Sequence, residues 1–286
     1  MRRIVRTMRL HVTNGDAVVP ELAAAAGVAP SDVLVWREIL HDGPVPEGLG
    51  ADELARLRAR HIAARGWADG DALADMRARD ARLAAFPAAE EIVLWFEEDP
   101  YDWLLLAQVE DRLAGRPGPV SRVYLRHPPR GDLRAALDAR ERIEPDPAAF
   151  AALRSPDPRA WVGVYGFERL LEDLPDVRTR LSRTEREILE ALASGPLAPG
   201  ALFVAVAARE DPPWLGDTAV FALADDLAPL VARTDDRYEL TPTGHAVLAG
   251  DATRPPIDRW LGGVHLGPGH PDWAWNPDTR RPVRLD

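Results

Sequence analysis

The chain contains no cysteine and no lysine. The first absence excludes disulfides, thiolate metal sites and cysteine nucleophiles. The second excludes lysine Schiff bases and the lysine of a phosphate-binding P-loop. All 35 basic residues are arginine, and Gly and Pro are abundant at 21 and 27, a composition that suits a GC-rich genome. No run approaches the roughly 18 uncharged apolar residues that suggest a membrane span. Four arginines fall among the first ten residues and no apolar stretch follows them. A secretory signal is therefore not expected, and the cytoplasm is the expected location. Met1–Thr7 reads as a tail or start-site extension. Basic excess is missing too: the net charge is −11 and the pI about 5.2, which argues against a uniformly basic nucleic-acid binder.

What is present is ordinary for a globular protein: 286 residues, 46% apolar and 28% charged. That suffices for one large domain or two smaller ones. Residues 1–130 alternate apolar runs with helical stretches. Met8–Val12, Val33–Ile39, Ile92–Phe96 and Val120–Leu125 read as strands. Val18–Ala26, Ala51–Arg65, Asp69–Ala85 and Asp102–Ala114 read as helices, the middle two with arginines on the polar side. This order predicts a Rossmann-like α/β domain with a mostly parallel sheet. Residues 131–180 read as a helical linker region. There Asp157-Pro158 is a helix-start signal.

Residues 181–250 read as a winged-helix-like unit: three helices, a hairpin around Thr234-Asp235-Asp236, and a short helix. Ser182-Arg183-Thr184-Glu185 opens it with a capping box. Residues 251–286, rich in Trp, Gly and Pro, are expected to pack on the rest. The C-terminal region is thus mainly α.

In a parallel α/β sheet, ligands bind beyond the carboxyl ends of the strands. Three such ends are dense in polar residues. The first holds His11 and Asn14-Gly15-Asp16, a turn entering a helix that suits an anion. The second is His41-Asp42-Gly43-Pro44, a histidine beside a carboxylate that suits acid/base work. The third is Glu97-Glu98-Asp99 with Tyr101 and Asp102, where crowded carboxylates favour a raised pKa or a bound cation. Convergence of the three would make an acid/base site of His11, His41, Asp42 and Asp99, or a divalent-metal site from the same residues with Asp16. Asn14, Gly15 and Asp16 would contact the ligand. Arg259, in Asp258–His265, would bind an anionic group or pair with Asp258. Each position also has a plain structural reading. Asp16 caps a helix, Asn14-Gly15 and Gly43-Pro44 make turns, the acidic run is a solvated turn, and Gly262-Gly263 allows close backbone approach. The dinucleotide-binding glycine fingerprint and the nucleophile elbow are both absent, and the sequence names no cofactor.

DNA binding by 181–250 is not expected. Residues 178–250 hold seven arginines against eleven acids. The third helix, in the recognition position, offers phosphates no arginine. Arg178, Arg180, Arg183 and Arg186 form the only basic run there.

Three N-terminal segments carry a resemblance: Leu10–Asp16, Val35-Trp36-Arg37 with Leu40–Pro44, and Leu94-Trp95-Phe96-Glu97. In combination they resemble the bacterial family catalogued as domain of unknown function 1835. Leu181–Glu185, Gly216-Asp217 and Ile257–Leu266 are similar to the C-terminal region of its longer members. That family tends to carry His-Asp after the third strand, where this chain has Glu98-Asp99. The resemblance implies a fold and motif positions but no reaction. The functional expectation is therefore a small-molecule site, phosphate- or nucleotide-like, at the carboxyl edge of the sheet, with hydrolase or transferase chemistry. The alternative is a non-enzymatic regulator or interaction protein that uses 181–250 to contact a partner protein or DNA.

Overall fold

The computed structural model describes residues 8–68, 70–125 and 132–286. Met1–Thr7 and the expected boundary at 130/131 lie outside the described residues. The chain forms two compact units. The first holds the described residues of Met1–Leu40, Gly48–Ala63 and Ala68–Ala152. The second holds His41–Glu47, Ala64–Trp67 and Leu153–Asp286. The 131–180 stretch is therefore divided between them, and two short segments near 41–47 and 64–67 belong with the C-terminal residues.

In the first unit the elements run β1 (Arg9–Thr13), α1 (Val19–Ala26), β2 (Val33–Val35), α2 (Ala51–Ala64), α3 (Ala72–Ala85), β3 (Glu91–Glu97), α4 (Pro100–Leu113), β4 (Val120–Leu125), α5 (Leu133–Asp138) and β5 (Glu141–Ile143). The boundary between the units falls at the end of α6 (Ala148–Leu153). The sheet has the order β2-β1-β3-β4-β5, with four parallel strands and an antiparallel β5 at one edge. β1 and β3 are buried along almost their whole length, as strands covered on both faces must be. On one face Leu22, Val33, Val93, Trp95, Val123 and Leu137 form a core beneath α1 and α5. α4 packs against β3.

Local signals set the helix ends. Asp99 caps α4 by accepting from the Asp102 N–H at 2.9 Å, with Pro100 in the first turn. Gly27 closes α1 at φ 67°, a conformation that favours glycine. The second strand stops at Val35, four residues short of the expected Ile39. Trp36 still donates its N–H to the Thr13 carbonyl at 2.7 Å, but from there side-chain bonds hold the chain. The Trp36 indole donates to Gln108 at 2.8 Å, and Glu38 accepts from Arg58 at 3.1 Å. Arg58 and Arg79 are buried, which corrects their expected place on the polar faces of α2 and α3. Arg58 meets a buried carboxylate, and Arg79 lies on the Trp36 ring at 3.8 Å.

In the second unit come α7 (Glu168–Leu171), α8 (Arg183–Leu192), α9 (Pro199–Ala207), α10 (Asp217–Asp226), β6 (Val231–Thr234), β7 (Arg237–Leu240) and α11 (Pro242–Ala249). β6 and β7 pair antiparallel, and a further bridge joins Leu197 to Tyr238. The capping box forms: Ser182 Oγ accepts from Glu185 N–H, and Glu185 reaches back to Ser182 N–H at 2.9 Å. Asp157 caps the short turn Pro158–Trp161. Leu181, Ile188, Leu189, Leu202, Tyr238 and Val247 belong to one core.

The tail is more regular than its composition suggests. It forms two hairpins, β8 (Arg259–Leu261) with β9 (Val264–Leu266), and β10 (Trp273–Asn276) with β11 (Arg281–Arg284). It packs within its own unit, because Trp275 exchanges backbone bonds with Pro175 and Val177. Trp273 and Trp275 are buried there, while Trp36 and Trp95 are core residues of the first unit. Gly262-Gly263 is the close approach that paired glycines permit. A Cβ on Gly263 would stand 2.0 Å from the Arg154 carbonyl oxygen. Gly263→Ala is expected to destabilise the protein by about 1–3 kcal/mol, the usual range for overpacking. A urea melt of the variant measures the loss, and an unchanged midpoint would contradict it.

Candidate functional site

Strand order places the crevice. From β1 the sheet grows toward β2 on one side and toward β3 on the other, so the switch point lies between the carboxyl ends of β1 and β3. Asn14 leaves β1 and Glu97 ends β3, and Asp102 joins them. The Asn14 side-chain amide donates to Asp102 Oδ1 at 2.6 Å, and the Glu97 N–H donates to Oδ2 at 2.5 Å. Asp102 is 1% exposed and Asp99 is 6%. Burial first, then the neighbouring Asp99 charge, pushes the Asp102 carboxyl up to about 8, against the two hydrogen bonds that favour its anion. The Tyr101 hydroxyl donates to the Glu38 carbonyl at 2.7 Å. A Cβ on Gly15 would meet nothing within 4 Å, so no close approach demands a glycine there.

His11 lies in the sheet interior and is fully buried. Its Nδ1 accepts from Trp95 Nε1 at 2.9 Å, so the ring proton sits on Nε2. That atom is buried with no hydrogen-bond partner among the described residues. Burial, reinforced by Arg9, lowers its pKa to about 4. At neutral pH it is an uncharged core side chain with its basic nitrogen already used.

Beside the start of α1 an open groove of about 520 Å³ follows the edge strand β2 and the facing side of α3. Asp16, Pro20, Arg37, Arg79 and Arg82 are among the residues lining it. Two of its arginines serve the edge. Arg82 donates to the Val33 carbonyl at 3.0 Å and to Ser31, and Arg79 donates to the Arg37 carbonyl at 3.0 Å. Such contacts blunt an unpaired strand edge. Arg37 pairs with Asp16, its Nε 2.8 Å from Oδ2. The hydrogen bonds from Arg37 hold the Asp16 carboxyl below its usual range. Both side chains are over 60% exposed, so the pair adds little stability and is readily exchanged. No side chain caps the start of α1; its Val19 N–H donates instead to the Asp16 carbonyl at 3.2 Å, and Pro20 brings no N–H.

His41, Asp42 and Arg259 belong to the second unit, where the three line one cavity of about 20 Å³. That volume holds a single water molecule. The His41 ring stands edge-on to Trp214 at 5.4 Å. Asp42 pairs with Arg65 at 3.0 Å, and Arg65 also reaches Asp226 at 2.7 Å. Gly43 turns the chain at φ 83°. Arg259 donates to the Asp173 carbonyl at 2.5 Å rather than to Asp258, and Asp258 instead bonds His265 at 2.7 Å. The Asp173 carboxyl is pushed up by burial, but Arg169, Arg259 and two bonds from Thr184 outweigh that and hold it low.

Asn14 and Asp99 thus meet through Asp102, Asp16 lies in the groove with Arg37, and His41, Asp42 and Arg259 share the second unit's cavity. Asp102 is visible in the sequence as part of the third turn, but the expected site did not include it. Its position three residues after the capping Asp99 was the available signal. Arg37, Arg79 and Arg82 carried no local signal. Among the described residues no three His, Asp or Glu side chains are placed to hold a metal ion, so the divalent-metal alternative finds no ligand set there. No described helix is long and apolar enough to cross a membrane. The chain matches no known protein-family model, and no curated protein matches it.

Proposed function

We propose that the first unit binds a small phosphate-bearing molecule in the groove at the first β–α turn. The observation that carries this reading is the gathering of Arg37, Arg79 and Arg82 along one open groove of ligand size beside the first β–α turn. A phosphate would displace Asp16 from Arg37, and Arg37 could then bind two of its oxygens. Hydrolase or transferase chemistry draws its support from Asp102. It is a carboxyl with a pKa near 8 at the switch point, bonded to Asn14 two residues before Asp16. Such a group can hold a proton near neutral pH; Asp102 is buried and lines no part of the groove, so transfer to a ligand there would run through a bridging water.

Calorimetric and thermal titration with inorganic phosphate and AMP tests the binding. A ligand at 100 times its dissociation constant should stabilise the protein by about 2.7 kcal/mol. Arg37→Gln should weaken that binding at least tenfold. No stabilisation by either compound, or equal affinity in the variant, would sink the reading.

We further infer that residues 181–250 form a winged helix. Three helices, a hairpin and a short helix, with the Leu197–Tyr238 bridge beside the hairpin, support a winged helix over 181–250. The acids Asp217, Asp225 and Asp226 on α10 favour a protein partner over DNA if that unit has a partner. We infer a relation to the domain of unknown function 1835 family from Leu10–Asp16, Leu40–Pro44 and Leu94–Glu97 together with Leu181–Glu185 and Ile257–Leu266.

A further inference from the structure

One guanidinium in the second unit holds carboxylates from three segments. Arg183, at the start of α8, donates to Glu172 Oε2 at 2.7 Å, to Glu187 Oε1 at 2.8 Å and to Glu210 Oε2 at 3.1 Å. Glu172 follows α7, Glu187 lies one turn along α8, and Glu210 lies in the connection from α9 to α10. Arg169 of α7 also donates to Glu210, from Nε to Oε1 at 2.7 Å, and the Trp214 indole reaches the same oxygen at 3.2 Å. Glu210 therefore ties the α9–α10 connection to α7 and α8.

Charge in this cluster does not balance. The carboxylates of Glu172, Asp173, Glu187 and Glu210 face the guanidinium groups of Arg169, Arg183 and Arg259. One negative charge is in excess. Glu187 is the member least satisfied: it is 7% exposed, and its Oε2 is buried with no hydrogen-bond partner among the described residues. A buried carboxylate oxygen without a donor is destabilising, and protonation relieves it. Burial first, and then the Glu210 charge, pushes the Glu187 carboxyl up to about 7 in spite of the bond from Arg183. The Arg183 side chain is 39% exposed, so the cluster borders the solvent that supplies the proton.

We propose that protonated Glu187 clasps the α9–α10 connection to α7 and α8, and that ionisation of Glu187 releases it. Neutral Glu187 leaves the charge of Arg183 to Glu172 and Glu210. Ionised Glu187 competes with Glu210 for that charge and repels it. Glu210 is the one that yields, because it sits in a connection while Glu187 is fixed on a helix. The device lies within the second unit and does not rest on the phosphate reading.

The sign follows from linkage. Opening returns Glu187 to its ordinary 4.5, so the opening constant rises with pH from there to about 7 and then levels off. Hydrogen exchange of residues 209–216 in the full chain, corrected for the intrinsic exchange rate, measures it. Protection is expected to fall at least tenfold from pH 5.5 to pH 7.5. Glu187→Gln, which keeps the shape and stays neutral, should hold its protection over that range, whereas any histidine contribution would persist in the variant. If the variant does not fold, the carbon-13 shift of the Glu187 carboxyl in the wild-type chain decides, with a midpoint near 7 expected. Protection independent of pH, an equal fall in the folded variant, or a midpoint near 4.5 would overturn the proposal.

Discussion

Replacing Arg58 with alanine is expected to cost the first unit about 3–5 kcal/mol, the range for stranding one partner of a buried ion pair. Arg58 is fully buried on α2 and Glu38 is 3% exposed. The guanidinium donates to Glu38 Oε1 at 3.2 and 3.1 Å and to the Ile39 carbonyl at 2.6 Å. Alanine would leave the carboxylate without its cation and open space where a large side chain stood. The double replacement Glu38→Gln with Arg58→Met removes both charges and keeps most of the volume, so it should cost much less. Urea unfolding of the two variants separates the effects, and equal losses would refute the ion-pair account. The same change bears on function. Glu38 and Ile39 follow Arg37 directly, so the lock that fixes them also positions Arg37 in the groove. Arg58→Ala should weaken phosphate binding although it lines no part of the groove.

The second large effect is in the pH dependence of stability. His11 titrates at about 4 in the folded protein, against 6.5 in its ordinary state. Between those values the unfolded chain binds a proton that the folded one refuses, so falling pH destabilises the fold. The loss grows to about 3 kcal/mol by pH 4. Asp102 acts in the opposite sense. Its carboxyl is raised from 3.8 to about 8, so between those values the folded state holds a proton that the unfolded chain has released. Rising pH therefore destabilises through Asp102. Over pH 4 to 6.5 the two contributions nearly cancel, and single variants should expose them. In Asp102→Asn only the His11 titration remains, tilting stability upward with pH. In His11→Gln, where the amide oxygen can still accept from Trp95, only the Asp102 titration remains and tilts it downward. Carboxylates common to both variants add the same slope to each, so the difference between slopes is the test. It should approach about 2.7 kcal/mol per pH unit, the linkage of two protons. Parallel curves would show that neither group is perturbed as its burial implies.

Element positions and helix ends were open to reading along the chain, because both depend on neighbours a few residues away. Ser182 with Glu185 and Asp157 with Pro158 make their caps as the spacing predicts, while α4 opens at Pro100 with Asp99 as cap, two residues before the expected start at Asp102. The four parallel strands follow from the alternation of apolar runs and amphipathic stretches, whereas the antiparallel β5 lies where a helical linker region was expected. The end of β2 was not legible, because Val33–Ile39 is rich in β-formers on both sides of Arg37-Glu38. It is Gln108 and Arg58, tens of residues away, that take hold of Trp36 and Glu38.

The turns holding the candidate residues could be named from sequence, but their partners could not. Asn14 and Asp102 are 88 residues apart, and His11 and Trp95 are 84 apart. Nothing local distinguishes a carboxyl that will be buried at a switch point from one that will cap a helix in water. By itself, then, the sequence determined the order of elements, their caps and the chemistry ruled out by the missing cysteine and lysine. Tertiary structure alone decided which charges are buried, which arginines gather along β2, and that His41, Asp42 and Arg259 share a cavity. Desolvation and long-range pairing set those outcomes, and both depend on segments that meet only when the chain has folded.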